Sequence, residues 1–149
     1  MFKKYKFAFN LWAIILFLAM MLPYVYWFII PAPNDILRTK SVTPILDNVA
    51  SICQTITIAL LCLIQRNDVG RLRWSSTVLC TVIWYVTYIV TWFFYYQGNT
   101  HSIIIVLLCL MPCLALGSYM MDRKNYLAIL PLLLFSICHL LHGILNFIV

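Results

Sequence analysis

Long uncharged apolar stretches alternate with short polar segments along this chain, a pattern that predicts membrane-spanning helices. Residues 7–34 and 74–121 contain no Asp, Glu, Lys or Arg. A helix of about 20 residues crosses a bilayer, so the second stretch is too long for one span, and the polar sequence QGNTHS at 97–102 divides it. The predicted spans are residues 8–30, 44–64, 75–96, 103–121 and 126–149.

The composition indicates that lipid is the solvent of the folded chain. Hydrophobic residues make up 64% of the 149 residues and charged residues only 9%, whereas about a quarter of a soluble domain is charged. The segments between the spans are too short to hold a soluble domain. We therefore predict one all-α integral membrane domain over residues 1–149, a bundle of five transmembrane helices.

The basic residues predict how the bundle is threaded. With five spans, alternate loops lie on opposite sides, and only Arg38 and Lys40 fall on the second side. The first side receives Lys3, Lys4, Lys6, Arg66, Arg71, Arg73, Arg123 and Lys124. Basic loops favour the cytoplasm, so we expect a cytoplasmic N-terminus, an external C-terminus and a place in the cell membrane. Such clustering accounts for the net charge of +6 without a nucleic-acid partner, which would need a basic patch on a folded surface.

The second predicted span carries a polar stripe. At about 100° per residue, five polar side chains fall within roughly 120° of arc, and Thr57 falls outside it. The five are Asp47, Asn48, Ser51, Gln54 and Thr55. Hydrocarbon cannot satisfy such groups. We therefore expect this face to meet protein or water, with the other helices packed around it.

The fifth predicted span carries a second polar stripe, formed by Ser136, His142, Gly143 and Asn146 within about 60° on either side of His139. With an external C-terminus, both stripes lie in the outer half of the membrane. This predicts one polar cluster, composed of Asp47, Asn48, Ser51, Gln54, His139, His142 and Asn146. Such a cluster is either a site for a proton, a cation or a polar molecule, or a set of hydrogen bonds between helices.

The third predicted span carries an aromatic face, formed by Tyr85, Tyr88, Trp92 and Tyr95. Such rings can stack on a cationic ligand, which makes Tyr88 and Trp92 candidate ligand-binding residues. The alternative interpretation is helix packing and an aromatic belt at the outer membrane interface.

Motifs for catalysis or for a metal are weak in this sequence. Cys109 and Cys113 are spaced i, i+4, and Cys138 adjoins His139, but there is no CxxC pair and no HExxH motif. All six cysteines lie in apolar stretches and are interpreted as small buried hydrophobes. The chain has no glutamate and no GxSxG motif. We therefore expect no enzyme, no metal site and no other cofactor.

Two segments and the overall layout resemble a known group of proteins. The segments TPILDNVASICQ at 43–54 and DRKNYLAILPLLLFSICHLLHGILNFIV at 122–149 resemble uncharacterised small multi-pass membrane proteins of Gram-positive bacteria, which have no assigned function. The resemblance implies a bacterial host and its cytoplasmic membrane. It implies no activity and no site residues.

These features lead to two functional hypotheses. The first is a non-enzymatic accessory, sensor or immunity-type protein, whose partners are the lipid bilayer and another membrane protein or a second copy of the chain. The alternative is a small transporter or ligand-binding membrane protein that uses the outer-leaflet polar cluster. A cavity shared by Asp47 and the stripe of His139 and His142 would favour the alternative.

Overall fold

The computed structural model describes residues 4–149 and contains five long helices in this range. They are α1 (Leu11–Ile29), α2 (Pro44–Leu63), α3 (Ser76–Tyr96), α4 (Ser102–Asp122) and α5 (Tyr126–Phe147). Each is long and apolar enough to cross a membrane. The existence and order of the five predicted spans are therefore confirmed, and the fold is that of a multi-pass α-helical membrane protein.

The first helix begins later than expected because the residues before it form a strand. Strand β1 (Tyr5–Phe7) pairs antiparallel with β2 (Ile64–Arg66), with Tyr5 opposite Arg66 and Phe7 opposite Ile64. The predicted start of the first span at residue 8 is therefore wrong. Asn10 caps α1, since its side chain accepts a hydrogen bond from the Ala13 amide at 3.2 Å.

Helix packing is uneven across the bundle. The closest pairs are α3 with α4, α2 with α5 and α4 with α5. Ten residues of α4 are buried, whereas only Ala13 and Met20 are buried on α1. Helix α4 is therefore the centre of the bundle, whereas α1 makes few contacts, mainly with α2 and α3.

The polar stripe of α2 does not form the packed face of that helix. The buried residues of α2 are Ala50, Cys53, Thr57, Leu61 and Cys62. Thr57, which falls outside the stripe, is buried and donates a hydrogen bond to the Cys53 carbonyl at 2.7 Å. Small and apolar side chains therefore form the tightly packed face of α2, and the stripe itself is not buried, although Asp47, Ser51 and Gln54 border a cavity to which all five helices contribute.

Gly143 sets the close approach of α5 to α4. A Cβ atom added there would lie 2.7 Å from the Cys109 Sγ, whereas one added at Gly117 would meet Leu132 at an ordinary 3.5 Å. We predict that Gly143→Ala lowers the free energy of unfolding by about 1–3 kcal/mol, the usual cost of overpacking. The measurement is reversible unfolding in mixed micelles.

The control for this prediction is Gly117→Ala, which should be neutral or slightly stabilising because alanine favours helix. Adding Cys109→Ala to Gly143→Ala should recover most of the lost stability, since it removes the clashing sulfur. Equal effects of Gly143→Ala and Gly117→Ala would contradict the close contact.

Candidate functional site

A cavity of about 440 Å³ lies between the helices, and all five contribute side chains to it. Its volume is within the range of about 300–1,000 Å³ that is typical of small-molecule sites. Seven of the nine predicted ligand-binding residues line it: Asp47, Ser51, Gln54, Tyr88, Trp92, His139 and His142. The two polar stripes and the aromatic face therefore meet at one place.

A close carboxylate–imidazole contact between α2 and α5, which is an ion pair when the imidazole is protonated, forms part of the cavity wall. The Nδ1 of His142 lies 2.5 Å from the Oδ1 of Asp47 and 3.0 Å from the Oγ1 of Thr43. Asp47 occupies the first turn of α2, where the helix dipole favours a carboxylate. Its side chain is 37% exposed, against 16% for His142, so the carboxylate remains accessible from the cavity.

Asn146 holds this ion pair in place without lining the cavity. Its Nδ2 donates to the Thr43 Oγ1 at 2.6 Å and to the His142 carbonyl at 2.8 Å. Its Oδ1 accepts a hydrogen bond from the Val42 amide at 2.6 Å. Asn146 therefore ties the chain before α2 to the last turns of α5, which keeps Asp47 facing His142.

The remaining polar groups of the cavity are free to contact a ligand. The His139 ring stacks on Phe135, with centroids 5.1 Å apart and planes 16° apart. Within residues 4–149, no hydrogen bond joins the side chains of Ser51, Gln54 or His139 to another protein group. These three side chains therefore offer unpaired donors and acceptors beside the ion pair.

Aromatic rings form another part of the wall. Tyr88 and Trp92 are buried on α3, with ring centroids 6.3 Å apart at 82°. The ring centroid of Trp92 lies 6.4 Å from that of Trp27, and the ring centroid of Trp27 lies 5.3 Å from that of Tyr24. All four rings line the cavity, so α1 and α3 together supply its aromatic surface.

Asp35 anchors the loop beside this aromatic surface. Its carboxylate accepts hydrogen bonds from the Trp27 Nε1 at 2.9 Å, the Tyr95 hydroxyl at 2.8 Å, the Ala32 amide at 3.3 Å and the Arg38 Nε at 2.9 Å. Burial alone would raise the pKa of Asp35, but these hydrogen bonds together outweigh it and hold the pKa below 3.8. The loop thereby fixes the orientation of Trp27.

Of the nine predicted ligand-binding residues, Asn48 and Asn146 do not line the cavity. Asn48 is exposed on α2.

No group of three or more His, Cys, Asp or Glu side chains within residues 4–149 is arranged to hold a metal ion. The described cysteines are all free thiols; Cys80 is exposed and Cys138 is only partly buried, so the interpretation of all six as buried is wrong for these two.

Sequence reasoning missed the contribution of α1 to the cavity. Its lining residues are Phe17, Met20, Met21, Tyr24 and Trp27, a spacing that places them on one helical face. Because α1 is apolar on every side, no contrast in polarity distinguishes that face. Sequence reasoning also missed the role of Asp35, because a single aspartate in a loop forms no motif.

No protein-family model, curated protein or solved structure matches this chain. The function is therefore inferred from the cavity and its surroundings.

The Asp35 contacts predict a pH-dependent part of the stability. Because the pKa of Asp35 is lowered on folding, this stabilisation is present above the unfolded-state pKa and is lost as the pH falls through the folded-state pKa. We predict that Asp35→Asn lowers the free energy of unfolding at pH 7 by about 1–3 kcal/mol, as expected when hydrogen bonds to a charged group are lost.

The same unfolding measurement, made from pH 7 down to pH 3, should show that acid lowers the free energy of unfolding less in Asp35→Asn than in the unsubstituted protein. Asp68→Asn is the control, because the Asp68 side chain is 49% exposed and its pair with Arg66 contributes little. Unchanged stability of Asp35→Asn at pH 7 would contradict the anchoring role of Asp35.

Proposed function

We propose that this chain is a ligand-binding membrane protein whose ligand is a small organic molecule held in the cavity between its helices. The observation that carries this proposal is the meeting of seven candidate residues at one cavity of about 440 Å³. A bundle held only by interhelical hydrogen bonds would pair its polar groups with one another. Here Ser51, Gln54 and His139 instead face open space without a protein partner.

We further propose that the ion pair lies in the outer half of a bacterial cell membrane. The described basic residues of the first side all lie at the end of the bundle that contains β1 and β2, and Lys3 lies outside the described residues. The opposite end contains Arg38 and Lys40. The excess of basic residues near β1 and β2 supports a cytoplasmic N-terminus and an external C-terminus.

A second candidate function is that of an accessory, sensor or immunity-type subunit. The lightly packed α1 favours this candidate, because most of its large apolar side chains remain exposed. Lipid covers such a face in any case, but another membrane protein or a second copy of the chain would fit it as well. A ligand-binding sensor would combine both candidates.

We predict that Gln54→Leu and His139→Leu each weaken binding of the physiological ligand about tenfold, the effect of losing one polar contact. The measurement is native mass spectrometry of protein purified gently from its host, which reports the occupied fraction. Expression and unfolding midpoints should remain close to those of the unsubstituted protein.

Thr55→Leu is the matched control for these variants. Thr55 is exposed on the same helix, does not line the cavity and donates its hydroxyl to the Ser51 carbonyl at 2.8 Å, so occupancy should not change. Equal loss of expression and occupancy in all three variants would contradict a ligand site. A stoichiometric partner chain and an empty cavity would instead support the accessory subunit.

The proposed threading makes a separate prediction. A reporter enzyme that is active only outside the cytoplasm should be active when fused after Val149 and inactive when inserted at Gly70, because these positions lie on opposite sides. The measurement is reporter activity normalised to the amount of fusion protein. The reverse pattern would overturn the proposed orientation.

A further inference from the structure

We infer that the ligand of this cavity is an organic cation, a protonated amine or a quaternary ammonium ion, which binds Asp47 in place of His142. This inference rests on the proposed function and names the chemical class of its ligand.

The charges that line the cavity favour a cation. Asp47 is the only carboxylate among the lining side chains in the described chain, and none of these side chains is a lysine or an arginine. This carboxylate would repel an anion, and no lysine or arginine lines the cavity to offset that repulsion. A cation would find a carboxylate that is already positioned by the contacts of Asn146.

The walls of the cavity favour the same class of ligand. Seven of the lining side chains are aromatic: Phe17, Tyr24, Trp27, Tyr88, Trp92, Phe135 and Phe147. Aromatic faces attract cations, and clusters of such rings recognise quaternary ammonium groups. The Trp27 ring already holds one cation, since the Arg38 guanidinium lies 4.9 Å from its centroid. Electron-rich aromatic rings and a carboxylate thus line one cavity.

The ion pair shows how a ligand would be accommodated. His142 contacts only the Oδ1 of Asp47, and within residues 4–149 the Oδ2 has no hydrogen-bond partner. A cationic group entering the cavity would approach this free oxygen first and then displace the imidazole.

Other titratable groups surround the ion pair. The cavity also contains Tyr24 on α1, Tyr88 on α3, Cys109 on α4 and His139 on α5, and the pair of Asp35 and Arg38 lies beyond Trp27. Of the titratable groups that line the cavity, His142 is the one that contacts the carboxylate, so it is the competitor of the ligand.

The test uses the full chain in lipid nanodiscs and isothermal titration calorimetry at pH 8. The probes are benzyltrimethylammonium and, as a neutral compound of similar shape, benzyl alcohol. We expect the cation to bind at least about tenfold more tightly than the alcohol, and Asp47→Asn to remove that preference, since a charged hydrogen bond or ion contact contributes about one order of magnitude or more. Asp68→Asn, which removes an exposed carboxylate outside the cavity, should bind like the unsubstituted protein.

Two results would overturn the inference. One is equal affinity of the cation and the alcohol in the unsubstituted protein, a comparison that needs no variant to fold. The other is a cation preference that survives Asp47→Asn. In either case, the proposed function would still be judged separately by the occupancy of the physiological ligand in native mass spectrometry.

A variant of His142 tests the competition directly. At pH 8, His142→Gln should bind benzyltrimethylammonium at least as tightly as the unsubstituted protein, because the imidazole that contacts the carboxylate is gone. An affinity at least about tenfold lower in His142→Gln would show that His142 holds the ligand rather than competing with it.

Discussion

Hydrocarbon offers no hydrogen-bond partners, and this constraint decides how both ends of the bundle are built. At one end, strands β1 and β2 pair with each other, and Asn10 caps α1 while accepting a hydrogen bond from the Tyr119 hydroxyl at 2.9 Å. At the other end, the Asp35 carboxylate accepts hydrogen bonds from side chains of α1, α3 and its own loop. Both arrangements satisfy polar groups within the protein, and both also hold α1. Between its ends, α1 has only Ala13 and Met20 buried, and it contacts α3 through the Tyr85 and Tyr88 hydroxyls, which donate to the Ala19 and Met20 carbonyls at 3.3 and 3.4 Å.

Much of the fold could be predicted because its main signals are simple. Length and apolarity mark the helices, and the polar segments between them mark the turns. The start of α1 at Leu11 could not be predicted, since a strand of three residues that pairs with a distant segment leaves no periodicity to detect. The packed face of α2 was also misjudged. Polarity along a helix indicates which residues avoid lipid, but side-chain size decides which face contacts another helix.

The residues that α2, α3 and α5 contribute to the candidate site could be predicted, but the loop contacts that support them could not. The stripes of α2 and α5 stand out against apolar surroundings, and the structure brings Asp47 and His142 within 2.5 Å. The aromatic face of α3 was also recognisable, and Tyr88 and Trp92 line the same cavity. The supporting contacts of Thr43 and Asp35 depend on where loops return to the helices. No local pattern in the sequence carries that information.

The unequal packing of α1 has a consequence for selectivity. This helix is anchored at both ends, contains Pro23 near its middle and supplies five of the side chains around the cavity. Proline removes one backbone hydrogen bond and lets a helix bend there. The Ala19 carbonyl, which Pro23 leaves without its usual helical donor, accepts a hydrogen bond from the Tyr85 hydroxyl of α3 at 3.3 Å. If the cavity holds the proposed cation, the position of α1 at this proline decides the size of ligand that fits, and the Asp47 carboxylate selects among such molecules by charge.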